Sequence, residues 1–91
     1  MPKNRLKSMV YQLRLKPKAE KELKRIPKKD CFRVLAAFIV LAKTPFVGKK
    51  LKGKYQGLCS YRVWPYRIIY TIRKNKLLIL VLRIAHRQGV Y

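Results

Sequence analysis

From Tyr11 the chain alternates, with Tyr11, Leu13 and Leu15 on one face and Gln12, Arg14 and Lys16 on the other. A period of two predicts a half-buried strand. Pro17 ends it and suits the first turn of a helix. Ala19, Leu23 and Ile26 then recur at helical spacing, and Glu20 with Lys24 forms an i,i+4 pair in the favourable order. Pro27 breaks this helix. A second one is predicted from about Lys28 to Lys43, where Cys31, Val34, Leu35, Phe38, Ile39, Leu41 and Ala42 make a wide apolar stripe. Thr44-Pro45 stops it. Two helices joined by a proline turn form a hairpin that needs something flat to cover.

The flat partner comes later. Strands are predicted at Leu58–Trp64, Tyr66–Arg73 and Leu77–Arg87, with hairpin turns at Trp64-Pro65 and Lys74-Asn75-Lys76, Asn75 being suited to a left-handed conformation. Leu77 to Leu82 is apolar on both faces, as expected of a central strand. Beyond it Arg83, Ala85 and Arg87 share one face while Ile84 and His86 share the other. Phe46 to Gly57 reads as a Gly- and Lys-rich loop. The order is β-α-α-β-β-β, an α+β fold with a two-helix hairpin on a curved antiparallel sheet. Residues 1–8 are basic and without period, a flexible leader before a single domain over residues 9–91, and Met9 is an equally good natural start.

Composition narrows the chemistry. At 91 residues the chain is one domain with an economical core. Twenty-four Lys and Arg face three acids, a formal net charge of +21. Those acids are Glu20, Glu22 and Asp30, so nothing from Cys31 onward carries a side-chain carboxylate. Such a charge favours polyanions, nucleic acid first and an acidic protein second. A membrane surface fits less well, since no segment is long, amphipathic and basic enough to lie flat. Mg-dependent phosphoryl transfer needs clustered carboxylates that this chain cannot readily assemble. Cys31, Cys59 and His86 lack zinc-ligand spacing. Neither a metal nor a cofactor is expected. The two cysteines read as small semi-buried hydrophobes in a reducing cytoplasm, and Val34 to Ala42 is too short to span a bilayer.

Arginines planted on strands need an anion or solvent. Here they fall into a pattern: Tyr61-Arg62-Val63, then Tyr66-Arg67-Ile68-Ile69-Tyr70, then Arg83-Ile84-Ala85-His86-Arg87 closing on Val90-Tyr91. Lys16-Pro17 with Ala19, Lys21 and Leu23, Ile26-Pro27, and Lys50-Leu51-Lys52-Gly53 precede them. In this order and spacing, from Met9 to Tyr91, the chain resembles the RelE/ParE toxin superfamily of bacterial and archaeal toxin–antitoxin systems. The resemblance implies two helices on a curved sheet and, in the RelE branch, an endoribonuclease cutting messenger RNA in the ribosomal A site. Its functional positions would fall on Lys52, Arg62, Arg67, Arg87 and Tyr91, with Arg83 a further phosphate contact. It also implies an acidic antitoxin that wraps the toxin and shields its basic face. The chain departs from the family in carrying Trp64-Pro65 where relatives commonly have Gly-Asp, and in stopping at Tyr91.

The residues agree with that chemistry. Metal-free RNA cleavage can use the substrate's own 2′-hydroxyl, leaving a 2′,3′-cyclic phosphate and a 5′-hydroxyl, provided attack is oriented and the phosphorane stabilised. Arginine forks suit phosphorane oxygens, and Arg67 and Arg87 are the candidates. Tyr91, Lys52 and His86 are able to exchange protons, though strand parity sends His86 to the face opposite Arg87, where a packing role is the alternative. Lys49, Lys50 and Lys54, with Arg62 and Arg83, are candidate RNA contacts; a lysine run is otherwise an ordinary solvated loop. Tyr61, Tyr70 and Trp64 read as sheet-packing aromatics or base-stacking platforms. Two other functions stay open: a ParE-like DNA gyrase inhibitor without catalysis, and a plain basic RNA-binding module.

Overall fold

The computed structural model describes residues 10–87. Strand β1 (Gln12–Leu15) leads into helix α1 (Pro17–Arg25) and helix α2 (Lys28–Lys43). Four strands follow: β2 (Lys49–Lys50), β3 (Cys59–Val63), β4 (Tyr66–Arg73) and β5 (Leu78–His86). Proline sets the helix starts, at the first position of α1 and at the N-cap of α2. Thr44 closes α2, its hydroxyl and its N–H both donating to the Val40 carbonyl at 2.8 Å. The leader and residues 88–91, Tyr91 among them, lie outside the described residues.

The strands form a five-stranded sheet in the order β1-β5-β4-β3-β2. The α+β class and the two-helix hairpin are as expected, and three details differ. The sheet is mixed, because β1 pairs with β5 in parallel while the other neighbours are antiparallel. A parallel pair needs a long crossover between its strands, and everything from α1 to β4 supplies one. A fifth strand, Lys49–Lys50, forms inside the expected loop by pairing with Ser60 and Cys59; two residues are too few to display a period. At the second hairpin turn, residues 74–76 form a 3-10 turn, and Leu77, not Asn75, takes the left-handed conformation with φ 49°.

Both helices pack on one face of the sheet. Ala19 and Ile26 of the first hairpin segment, with Val34, Ala37, Phe38 and Leu41 of α2, meet Cys59, Val63, Ile68, Tyr70, Ile79, Val81 and Ile84. Val34, Leu41, Ile68, Tyr70, Ile79 and Val81 are fully buried, and each such aliphatic contributes about 1.5–3 kcal/mol relative to exposure. Two positions of the wide stripe of α2 are left out of the core. Leu35 and Ile39 join Phe32 and Val40 on the solvent side.

Candidate functional site

Sheet register sorts the arginines. Tyr61 faces Ile68, which faces Ile84, and all three belong to the helix-side core or pack against it. One position along, Arg62 sits opposite Arg67, and Arg67 opposite Ala85, so this row projects from the other face. Directly opposed residues have Cβ atoms roughly 4.5–5.5 Å apart, which makes Arg62 and Arg67 immediate neighbours. The next row in the other direction is Lys49, Ser60, Ile69 and Arg83.

Arg87 joins the arginine row at its open end. Its N–H donates to the Pro65 carbonyl at 2.6 Å, and its guanidinium carbon stands 5.2 Å from the centroid of the Trp64 ring. A cation over an indole face is held by the ring quadrupole. The Trp64-Pro65 turn therefore seats a candidate catalytic arginine. The turn was legible in the sequence; its role was not, because the two residues meet Arg87 only once β3, β4 and β5 are paired.

Arg83 is placed differently from the others. Its Nε and Nη2 donate to Glu22 Oε2 at 2.9 and 2.7 Å, while Glu22 Oε1 accepts the Ile84 N–H at 2.7 Å. Glu22 attracted no role in the sequence; the available clue was that one of only three acids faces such an excess of cations. His86 sits opposite Tyr66 on the helix-side face, their rings edge to face with centroids 5.4 Å apart, on the face that parity assigned it.

The lysines divide. Lys49, opposite Ser60, is on the arginine face. Lys50 and Lys52 instead line a cleft of about 680 Å³ with Phe46, Leu58, Cys59 and Ile72, at the end of the β3–β4 hairpin remote from its turn. Cys59, the partner of Lys50, is three residues, or about 10 Å of strand, from Arg62, and Lys52 lies beyond. Lys54 stands over Tyr55, 5.4 Å from the ring centroid. Tyr70 is fully buried, ruling it out as a stacking platform. Burial pushes its phenol up to about 12 and also raises the Cys59 thiol, against the pull of Lys50 and a hydrogen bond with Tyr70. Cys59 is thus a core residue rather than a nucleophile.

Carboxylates are scattered. Glu22 is engaged by Arg83, Asp30 pairs with Arg33 at 3.4 Å, and Glu20 is exposed on α1. Among the described residues no three of His, Cys, Asp or Glu converge as metal ligands, and no helix is long and apolar enough to cross a membrane.

Known proteins share both the sequence pattern and the fold. Residues 13–91 match the family model of the ParE toxin of the type II toxin–antitoxin system, parDE. Toxin RelG of Mycobacterium tuberculosis is 32% identical over 85 residues, covering 91% of this chain and 98% of that protein. The RelBE2 toxin–antitoxin complex from the same organism superposes with a TM-score of 0.80 at 31% identity, over 86% of this chain and 99% of that one. The archaeal RelE–RelB complex from Pyrococcus horikoshii gives 0.76 at 25% identity, over 89% and 99%. The isolated E. coli RelE toxin, at 17% identity and TM-score 0.77 over 88% and 87%, shares the fold. A β-α-α-β-β-β-β chain with this arginine face and these relatives belongs to the ParE toxin family of type II toxin–antitoxin systems, within the RelE/ParE superfamily.

Proposed function

We propose that this toxin is a cytoplasmic, metal-independent endoribonuclease that cuts messenger RNA in the ribosomal A site and is silenced by an acidic antitoxin. The observation that carries the reading is the arginine row: Arg62 beside Arg67 by strand register, with Arg87 held next to them by Pro65 and Trp64. Three guanidinium groups on one face, with the Glu22 carboxylate drawn to Arg83, make a receptor for a phosphodiester.

In the proposed reaction the 2′-oxygen attacks phosphorus and the bond to the 5′-oxygen breaks. The 2′-hydroxyl proton leaves to a base and the 5′-oxygen gains one, giving a 2′,3′-cyclic phosphate and a 5′-hydroxyl. Arg67 and Arg87 neutralise the equatorial oxygens of the phosphorane, where the added negative charge develops. Arg62 and Lys49 hold the flanking phosphates. Tyr91 is the family position for proton transfer, with Lys52 and His86 the other proton-bearing candidates. Of these two, neither shares the arginine row: Lys52 belongs to the lysine cleft and His86 to the Tyr66 side. Lys50, Lys52 and Lys54 then serve as peripheral contacts to RNA.

Several solved neighbours are complexes of a toxin with its antitoxin, which supports an antitoxin partner for this chain; the charge of +21 makes an acidic one the natural match. The test is addition of toxin to a translating extract, with primer extension on the message. Cuts inside codons that need ribosomes, and that Arg67→Ala and Arg87→Ala lose while staying folded, support the proposal. A second reading, gyrase inhibition without cleavage, is favoured by the ParE family match itself. It would show as intact message with trapped, cleaved DNA.

A further inference from the structure

We infer that Glu22 is a positioning residue for the arginine site, and that it takes Arg83 out of phosphate binding; the inference rests on the ribonuclease reading above. The last rung between β1 and β5 is the Lys16 N–H donating to the Val81 carbonyl at 2.8 Å. Beyond it β5 runs on to His86 with β4 on one side and, among the described residues, no strand on the other. An uncovered edge leaves N–H groups to be satisfied by something other than a strand.

The pairing also slips there. Tyr70 faces Val81 and Ile69 faces Arg83, so Leu82 is an extra residue on β5. A bulge bends and twists the strand that carries it and re-aims the residues downstream. Downstream of Leu82 lies Arg83 to Arg87, the segment that ends in a candidate catalytic arginine.

Glu22 from α1 meets this segment immediately after the bulge. One carboxylate oxygen takes the Ile84 N–H at 2.7 Å, standing in for the carbonyl of a missing neighbour strand. The other takes both the Nε and Nη2 donors of Arg83, at 2.9 and 2.7 Å. Three charge-assisted hydrogen bonds converge on one side chain that is only 20% exposed. Arg83, itself 25% exposed, spends two of its five donors in this clasp. Three residues after Ile84, the Arg87 N–H bonds Pro65. The distal half of β5 is thus pinned on one side by α1 and on the other by the β3–β4 turn, and these two attachments fix where Arg87 stands.

Two measurements separate this role from phosphate binding and from the ribonuclease reading itself. The first is binding of a short, uncleavable single-stranded RNA across a salt series. Removing one phosphate-binding cation lowers the slope of log affinity against log salt by about 0.7. Arg67→Ala is expected to lower it by that amount and Arg83→Ala to leave it unchanged. An equal drop for Arg83→Ala overturns the inference. An unchanged slope for Arg67→Ala sinks the ribonuclease reading instead.

The second is kinetic and structural, on Glu22→Ala and Glu22→Gln. Glu22→Ala is expected to lower kcat at least tenfold with KM within twofold of the parent, and to speed hydrogen exchange at the Ile84 amide by a similar factor. Glu22→Gln retains a carbonyl for Ile84, so its amide stays protected while Arg83 loses its counter-charge, and kcat falls less. Parent-like kcat in Glu22→Ala overturns the positioning role. If Glu22→Ala fails to fold, the test passes to Glu22→Gln: Ile84 exchange close to the parent's, with kcat reduced and the Arg83→Ala salt slope unchanged, supports the role, and parent-like kcat overturns it.

Discussion

The Tyr70 hydroxyl accepts the Gly48 N–H at 3.2 Å and donates to the Pro45 carbonyl at 2.8 Å, so one buried phenol ties the turn after α2 to the centre of the sheet. The tie explains how a two-residue strand persists: Lys49 and Lys50 follow Gly48 directly, and their pairing with Ser60 and Cys59 starts from a fixed point. It also explains the glycine. Gly48 has an ordinary φ of −74°, so freedom of rotation is not at issue. A Cβ there would collide with the Tyr70 hydroxyl and stand 3.0 Å from the Ser60 carbonyl.

Gly48→Ala is therefore expected to destabilise the fold by about 1–3 kcal/mol through overpacking. Tyr70→Phe, which leaves the Gly48 N–H and the Pro45 carbonyl without their partner, costs about 1–3 kcal/mol. The double variant should cost less than the two together, since removing the hydroxyl relieves part of the collision. Denaturant unfolding of the four proteins measures the coupling; strict additivity would show that the hydroxyl and the glycine do not meet.

The same phenol carries a pH signature. Burial holds Tyr70 protonated up to about 12, against 10.0 for the free group. A folded-state value above the unfolded one means that the contribution is complete below pH 10 and is lost as pH rises from 10 through about 12. The useful quantity is the stability gap between the parent and Tyr70→Phe, in which every group that the two proteins share cancels. The gap is expected to be constant from about pH 8 to 9.5 and to narrow above about 10, followed by urea unfolding at each pH. A gap that widens would contradict the assignment.

Arg62 and Arg67 face one another directly across β3 and β4. Like charges so placed are destabilising by roughly 0.2–1 kcal/mol. Arg62→Gln is expected to raise the melting temperature by up to about 4–8 °C, while weakening single-stranded RNA binding and lowering its salt slope by about 0.7. Stability gained where binding is lost marks a residue kept for its ligand. Arg62→Gln with unchanged stability and unchanged RNA affinity would remove it from the site.

Sequence patterning reached most of this fold because the long elements have clean periods. The alternation over Gln12–Leu15 and the i, i+3, i+4 apolar spacing of α2 each point to one answer. Three things escaped it for physical reasons. Lys49–Lys50 is too short to show a period. The parallel β1–β5 pair is a property of the crossover, which no local window contains. The apolar stripe of α2 is wider than the sheet needs, so periodicity points Leu35 and Ile39 inward while both stand outside. In the candidate site, parity along the last strand put Arg87 on one face and His86 on the other, whereas the shared face of Arg67 and Arg87 follows from the register that sets Arg67 opposite Ala85. The departure of Arg83 toward Glu22 links residues 61 positions apart, and neither periodicity nor residue type reports that.

Trp64 is the chain's single tryptophan. Its ring lies 5.2 Å from the Arg87 guanidinium while remaining 51% exposed. A cation–π contact at an exposed site is worth about 0.5–1 kcal/mol, so Trp64→Ala should lower kcat/KM for message cleavage roughly two- to fivefold, and Trp64→Phe less. The ring also reports on its neighbour. When a phosphate engages Arg87 the guanidinium shifts relative to the indole, so tryptophan emission is expected to change saturably as an uncleavable RNA is titrated in, and to lose that response in Arg87→Ala. Trp64→Ala with parent kcat/KM would leave the Pro65 carbonyl as the anchor of Arg87, and an emission response surviving in Arg87→Ala would mean that RNA meets the indole without the arginine.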